Sequence, residues 1–155
     1  MRLLRRRGWQ STANLSKKIA VEKQKISRTL SDLQDALGRE EKTVVELAAI
    51  AAFLQSIYNG IENILKLSLK AKGVVIRPSE KWHRDLIETC VSQGILSRAL
   101  SDELDEYLAF RHFATYSYGF MLDEARLATL ANNISGVYFR FISEIDAVLE
   151  VLPPD

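Results

Sequence analysis

Apolar residues recur at helical spacing along most of this chain, and few residues interrupt the pattern. One apolar stripe comprises Leu15, Ile19, Ile26, Leu30, Leu33 and Leu37. A second stripe comprises Leu127, Leu130, Ile134, Val137, Phe141, Ile145 and Val148. Gaps of three, four and seven residues fit the period of an α-helix, about 3.6 residues, and not that of a strand. Only 7 glycines and 3 prolines occur in 155 residues, so long helices are expected.

Capping signals divide the chain into about five helices. The expected N-caps of the second to fifth helices are Thr43, Ser79, Ser101 and Asp123. Glycines that are expected to end the first, second and fourth helices are Gly38, Gly73 and Gly119. We therefore predict an all-α bundle of about five helices, with residues 12–152 as one domain after an irregular basic tail of residues 1–11.

The second helix is expected to be the most buried, because residues 47–54 are apolar around most of its girth. Gly60 lies inside this helix, where glycine costs about 1 kcal/mol relative to alanine. Close approach of another helix would explain its presence. The apolar run of residues 47–54 is much shorter than the ~20 residues that a membrane span needs, so no membrane contact is expected.

Charge and cysteine content suggest a cellular setting. Residues 1–28 carry nine Lys/Arg and one Glu, whereas the rest carries twelve Lys/Arg and nineteen Asp/Glu. The basic segment could meet RNA phosphates, or it could be a solvated helix face. Cys90 is the only cysteine and lies among apolar residues, which indicates a buried structural thiol. Without an internal disulfide or a signal-peptide pattern, the expected location is the cytoplasm.

Residues 110–119 combine an arginine, a histidine and two tyrosines at the expected end of the fourth helix. Arg111 and Tyr118 are seven positions apart, which places them on one face because about two helical turns separate them. A guanidinium beside phenol hydroxyls is suited to holding a phosphate. Alternatively, Arg111 could form a salt bridge with Glu62, Glu103 or Glu106, or be a solvated surface residue.

This stretch resembles the signature of the HEPN superfamily, in its HepT-like ribonuclease-toxin branch. The family pattern is arginine, four residues, histidine, one residue, tyrosine, and this chain has Arg111, Tyr116 and Tyr118 at those positions. Further segments resemble the second and third helices of the branch and the turn after the signature, namely 46–54, 58–66, 81–87 and 118–123. The similarity covers roughly residues 44–150.

The resemblance implies a metal-independent endoribonuclease toxin in which Arg111 holds the scissile phosphate. Tyr116 replaces the family histidine that helps to activate the ribose 2′-hydroxyl. A tyrosine has an ordinary pKa of about 10 against about 6.5 for histidine, so only about one phenol in a thousand is ionised at pH 7. Tyr116 would therefore be a poor base, although it could donate a hydrogen bond or act as an acid.

Two histidines could supply the proton transfer instead. His112 lies about 100° around the helix from Arg111, so it would approach the site from the side or from a partner subunit; otherwise it is a half-exposed helix residue. His83 lies in the third helix and could instead be satisfied by a helix end, or by Asp85 or Glu88.

The second helix carries polar residues among its apolar ones. Asn59, Glu62 and Asn63 are linked by helical spacings of three and four, so they are expected to form one polar strip. A pairing of Glu62 with Arg111 would satisfy both groups and orient the guanidinium. Alternatively, the strip faces water.

The resemblance also implies partners. The family acts as a homodimer whose signature arginines line one RNA cleft, and its antitoxin is a nucleotidyltransferase that adds AMP to the signature tyrosine, here Tyr118. No metal-ligand spacing and no cofactor motif occur in the sequence. Two alternatives stay open: a non-catalytic RNA- or protein-binding subunit, with Tyr116 marking lost activity, and a helical dimerisation module with no nucleic-acid role.

Overall fold

Five helices follow one another in the computed structural model, which describes residues 2–117 and 123–151, and the side chains of residues 14–111 and 123–151. Their bounds are α1 Arg2–Leu37, α2 Val44–Ala71, α3 Trp82–Ser92, α4 Arg98–Ser117 and α5 Glu124–Val151. No strand occurs in these ranges. The predicted all-α bundle of about five helices is confirmed. The expected break at Gly119 lies outside the described residues.

Helix α1 starts earlier than the sequence suggested. Its backbone is helical from Arg2, so an irregular tail is not observed for residues 2–11. Arginine and leucine favour the helix, the segment contains no proline, and the single Gly8 opposes helix formation only weakly. The expected single domain over residues 12–152 stays a prediction.

Helix α2 is the centre of the bundle, because it contacts each of the other four helices. Ile57, Ile61 and Leu65 are fully buried. By length and composition alone α2 could cross a membrane, but its burial among the other helices accounts for the same apolar composition. It begins as expected: the Thr43 hydroxyl accepts a hydrogen bond from the backbone N–H of Val45, and the Glu46 carboxylate accepts one from that of Thr43.

Helix α1 packs closely against α2 at Gly60. A Cβ atom at Gly60 would lie 2.6 Å from Cγ1 of Ile26, which is itself buried. This confirms the explanation that the sequence suggested for a glycine inside α2. Three residues before Ile26, an ion pair of 2.6 Å between Lys23 and Asp146 joins α1 to α5.

Two helix starts differ from the sequence prediction. The Ser79 hydroxyl donates to the Asp85 carboxylate instead of capping α3, which begins at Trp82. Ser101 is buried inside α4, and Ser97 is the residue whose hydroxyl accepts from a backbone N–H of the first turn. Glu144 of α5 binds both the backbone N–H and the hydroxyl of Ser97, which selects this serine over Ser101.

The fifth helix closes the bundle over α4. Its expected cap is confirmed, since the Asp123 carboxylate accepts a hydrogen bond from the backbone N–H of Arg126. The Tyr107 hydroxyl of α4 donates to the Leu130 carbonyl of α5 at 2.8 Å. This contact fixes the rotation of α4 about its axis, and with it the direction in which the last described side chain of α4, Arg111, points.

Candidate functional site

Three helices contribute one side chain each to a continuous polar contact. Glu62 comes from α2, His83 from α3 and Arg111 from α4. Nδ1 of His83 lies 2.7 Å from Oε2 of Glu62. Nε2 of the same ring lies 3.1 Å from Nη1 of Arg111. The structure therefore links Glu62 to Arg111 through His83, a linking residue that the sequence did not indicate.

The partners of the imidazole ring determine which nitrogen carries the proton. A guanidinium has only donors, so Nε2 of His83 accepts the hydrogen bond from Arg111. Nδ1 then carries the hydrogen and donates it to the Glu62 carboxylate. The ring is held at both nitrogens, with its basic nitrogen directed toward the arginine.

The contact runs from the core to the surface. Only 3% of the Glu62 side chain is exposed, against 23% for His83. A buried carboxylate is stable only when its oxygens have hydrogen-bond partners, and His83 supplies one. Arg111 is partly exposed. A ligand arriving from solvent can therefore reach the arginine and the imidazole, while Glu62 stays behind them.

An aromatic ring supports His83 from one side. The Trp82 ring stacks on the imidazole with 3.6 Å between the ring centroids. The ammonium of Lys66 lies 4.3 Å from the centroid of the Trp82 ring, which is a cation–π distance. Trp82 thus contacts both the imidazole of His83 and the positively charged Lys66 side chain. One signal for this arrangement is present in the sequence, namely that Trp82 directly precedes His83.

A buried phenol adjoins the site. Tyr58 lies one helical turn before Glu62 on α2, and burial, followed by the negative charge of Glu62, raises the pKa of Tyr58 well above its ordinary value. In the part of the chain that the structure describes, its buried hydroxyl makes no hydrogen bond of good geometry, although the Glu62 carboxylate is close enough to interact with it. Sequence analysis missed Tyr58, although its spacing of four from Glu62 places the two on one helix face.

Other expected members of the site lie elsewhere or outside the described residues. Asn59 and Asn63 line a groove between α1 and α2, whereas Glu62 faces α3, so the three do not form one strip. One step along a helix turns the side chain by about 100°, which separates Glu62 from Asn63. His112 and Tyr116 lie in α4, but their side chains are outside the described residues, as is the whole of Tyr118.

The alternative acidic partners are engaged with other residues. Glu88 pairs with Arg98 at 2.8 Å, and Asp85 accepts a hydrogen bond from Ser79. Neither is therefore needed to explain His83, whose carboxylate partner is Glu62. Glu103, one of the partners considered for Arg111, forms a salt bridge with Arg140 of α5.

Cys90 has the structural role that its surroundings in the sequence indicated. It is completely buried, and burial raises the pKa of its thiol to about 12. A thiol with so high a pKa is not ionised near neutral pH and is therefore a poor nucleophile. Among the described residues, no group of three His, Cys, Asp or Glu side chains is arranged to hold a metal ion.

The five helices form an all-α bundle that is consistent with a HEPN-like fold. The sequence model of a family described as "HepT-like protein" matches residues 49–152, about two thirds of the chain. The protein therefore belongs to the HepT-like family. The match includes Glu62, His83 and Arg111, and it begins within α2, beyond all of α1. Comparisons with curated proteins and with solved structures gave no match.

Proposed function

We propose that the protein is the toxin of a toxin–antitoxin pair and cleaves RNA without a metal ion. The observation that carries the proposal is the contact from Glu62 through His83 to Arg111. It places a cation for phosphate beside an oriented imidazole whose basic nitrogen faces that cation. An arginine that binds phosphate and a base within hydrogen-bond reach are the two groups that cleavage by a ribose 2′-hydroxyl requires.

In the proposed reaction, the scissile phosphate binds the guanidinium of Arg111. The Arg111 N–H that donates to His83 turns to a phosphate oxygen. Nε2 of His83 is then free to accept a proton. Nε2 then takes the proton of the 2′-hydroxyl while the 2′-oxygen attacks phosphorus. The bond to the 5′-oxygen breaks, leaving a 2′,3′-cyclic phosphate and a 5′-hydroxyl, whose proton comes from Tyr116 or from water.

Glu62 makes His83 a better base in this scheme. Its carboxylate accepts the Nδ1 hydrogen, which keeps the ring in one orientation and stabilises the imidazolium that forms. A positioned acid or base typically contributes ~10²–10⁴-fold to a rate. His83 can thereby supply the proton transfer that Tyr116, with the high pKa of a phenol, provides poorly.

Assembly and control belong to the same proposal. The protein acts as a homodimer, so that the Arg111 side chains of two protomers line one RNA cleft. A nucleotidyltransferase antitoxin adds AMP to Tyr118, seven positions beyond Arg111. The phosphate of that adduct would occupy the guanidinium and exclude RNA. A cytoplasmic location and the absence of a cofactor complete the proposal.

One observation favours a second candidate function. Tyr116 stands where the family signature has histidine. The protein would then be a HEPN-fold subunit that binds RNA or another protein but no longer cleaves RNA. In that case the Glu62–His83–Arg111 contact would hold a phosphate and do no chemistry.

The deciding experiment is RNA cleavage in excess EDTA, comparing the wild type with His83→Gln and with His112→Gln as the matched control. We expect the wild type to produce 2′,3′-cyclic phosphate ends. His83→Gln should lower the rate by ~10²–10⁴-fold, the usual contribution of a general base, and His112→Gln should leave it within a few-fold. RNA binding with no cleavage by the wild type would favour the second candidate function.

A further inference from the structure

A groove opens beside the Trp82 ring, at the end of the site that faces solvent. It has a volume of about 480 Å³ and lies between the C-terminal part of α2, the connector of residues 74–78 and the start of α3. Its apolar walls include Leu69, Val74, Ile76 and Pro78. Val75, on the connector, is 88% exposed. A groove of this size and composition is suited to a flat, mainly apolar group.

Every charged residue that lines this groove is basic. The three are Lys66, Lys70 and Arg77, and none of the lining residues is acidic. All three are exposed, so their charges are available to a ligand. An apolar groove with a cationic rim is complementary to a ligand that has a flat ring and a negatively charged group attached to it. It disfavours a ligand that is uncharged or positively charged.

The cationic surface continues beyond the groove. Lys66 also lines a neighbouring groove between α1 and α2, together with Lys17, Lys18 and Lys25. That second groove includes a single acid, Glu22. Basic side chains therefore extend from Arg77, past Lys66, onto the exposed face of α1. An extended row of basic side chains matches the repeated phosphates of a nucleic-acid strand, whereas a single phosphate would need only one such cluster.

We propose that the groove beside Trp82 binds one unpaired base of the RNA strand, next to the nucleotide that is cut. The inference rests on the proposed function in taking RNA as the ligand. The base lies against the Leu69, Ile76 and Trp82 side chains, and the adjoining phosphates contact Lys66, Lys70 and Arg77. The strand then continues along the lysines of α1.

Trp82 connects this subsite to the chemistry. Its ring lines the groove and also stacks on His83 at 3.6 Å. A base held in the groove lies beside the indole, whose ring also contacts the imidazole and the Lys66 ammonium, so its neighbour in the strand can present its ribose to His83. A base inside a duplex is stacked and paired and cannot enter the groove. The subsite therefore selects single-stranded RNA.

The direct test uses Trp82 as the reporter. The chain has two tryptophans, so Trp9→Phe leaves Trp82 as the sole one. The full-length protein is titrated with a single-stranded 2′-O-methyl RNA of about twelve nucleotides, which cannot be cut through its 2′-oxygen. We expect quenching of Trp82 fluorescence that saturates together with binding measured by anisotropy. Inorganic polyphosphate of similar length should bind but cause little quenching.

A charge-reversal pair tests the rim. Lys70→Glu with Arg77→Glu removes two contacts to phosphate, and Arg39→Glu with Lys42→Glu in the α1–α2 loop is the control with the same change in net charge. At about 0.1 M salt, two lost contacts lower affinity roughly 25-fold and reduce the slope of log K against log[salt] by about 1.4. The control pair should lower affinity less than about threefold. The melting temperatures of both pairs show whether each is folded.

The outcomes separate the subsite from the proposed function. RNA quenching that depends on Lys70 and Arg77 supports the subsite even if the wild type cleaves no RNA. Metal-free RNA cleavage that is unaffected by the rim pair overturns the subsite and leaves the proposed function in place.

Other ligands of the groove are tested by the same measurements. Quenching by polyphosphate equal to that by RNA, or equal affinity for duplex RNA, would show a purely electrostatic surface and overturn the subsite. Loss of antitoxin binding with unchanged RNA binding would assign the groove to a protein partner and overturn it as well.

Discussion

Nδ1 of His83 donates a hydrogen bond to Oε2 of Glu62 over 2.7 Å, although the two residues are 21 positions apart in the sequence. The carboxylate is on the central helix and nearly completely buried, whereas the imidazole is at the edge of the bundle. Because Glu62 fixes the ring from behind, the opposite nitrogen is directed at Arg111. An acid buried behind a partly exposed base is an arrangement that positions the base for catalysis.

Glu62→Gln should lower RNA cleavage at least about tenfold, as part of the ~10²–10⁴-fold that a general base supplies. Glutamine can still accept the Nδ1 hydrogen of His83, but it lacks the charge that stabilises the imidazolium. Cleavage rates of Glu62→Gln, His83→Gln and the double variant form a thermodynamic cycle. If Glu62 acts only through His83, the double variant should lose no more activity than His83→Gln alone. Additive losses would show that Glu62 does not act through His83.

Arg111→Ala should abolish cleavage and change the free energy of unfolding by no more than about 1 kcal/mol, as for other partly exposed charged contacts. Loss of the guanidinium removes charge stabilisation that matters most in the transition state. Arg111→Lys is the matched control, because it keeps the charge but loses the two-pronged donor geometry and should be intermediate. Melting curves and cleavage rates from the same preparations are needed. A large loss of stability in Arg111→Ala would assign the arginine a structural role.

Tyr116→His should raise metal-independent cleavage or cellular toxicity, because the ordinary pKa of histidine is about 3.5 units below that of tyrosine. The variant restores the family signature. Introducing it into both the wild type and His83→Gln tests whether the new histidine can replace His83. If the folded variant shows no gain in either background, position 116 does not limit catalysis.

We expect a homodimer in solution, because a single short face carrying Arg111 and the signature tyrosine forms only part of an RNA cleft. Light scattering at tens of micromolar protein should give twice the mass of the 17.6-kDa chain. The cleavage rate per protomer should fall on dilution through the concentration at which the dimer dissociates. A monodisperse monomer that cleaves RNA at all of these concentrations would contradict the expectation.

Gly60→Ala and Gly136→Ala should have opposite effects on stability. Alanine favours a helix over glycine by about 1 kcal/mol. At Gly136 a Cβ has no neighbouring atom within 4 Å, so the full gain is expected. At Gly60 the Cβ would lie 2.6 Å from the buried Ile26 side chain, and overpacking of about 1–3 kcal/mol outweighs the gain. Urea unfolding of both variants measures the difference in the free energy of unfolding. Stabilisation by Gly60→Ala would show that α1 can shift away from α2 at little cost.

Much of the fold could be predicted because it depends on interactions close in the sequence. The apolar stripes of α1 and α5 repeat at helical spacing, and their members from Leu15 to Ile145 are mostly buried. Thr43 and Asp123 cap helices through bonds to residues two or three positions away. The resemblance to the HepT-like family was likewise readable along the chain, and the family match over residues 49–152 confirms it.

Where the sequence offers several residues for one cap or one contact, the tertiary structure decided which of them meets a partner from another helix. Ser97 caps α4, and not Ser101, because Glu144 of α5 reaches it. His83 meets Glu62 and Arg111 because α2, α3 and α4 converge there. Spacing along one helix determines which side chains share a face, but the face that meets a given neighbour depends on how all five helices pack around α2.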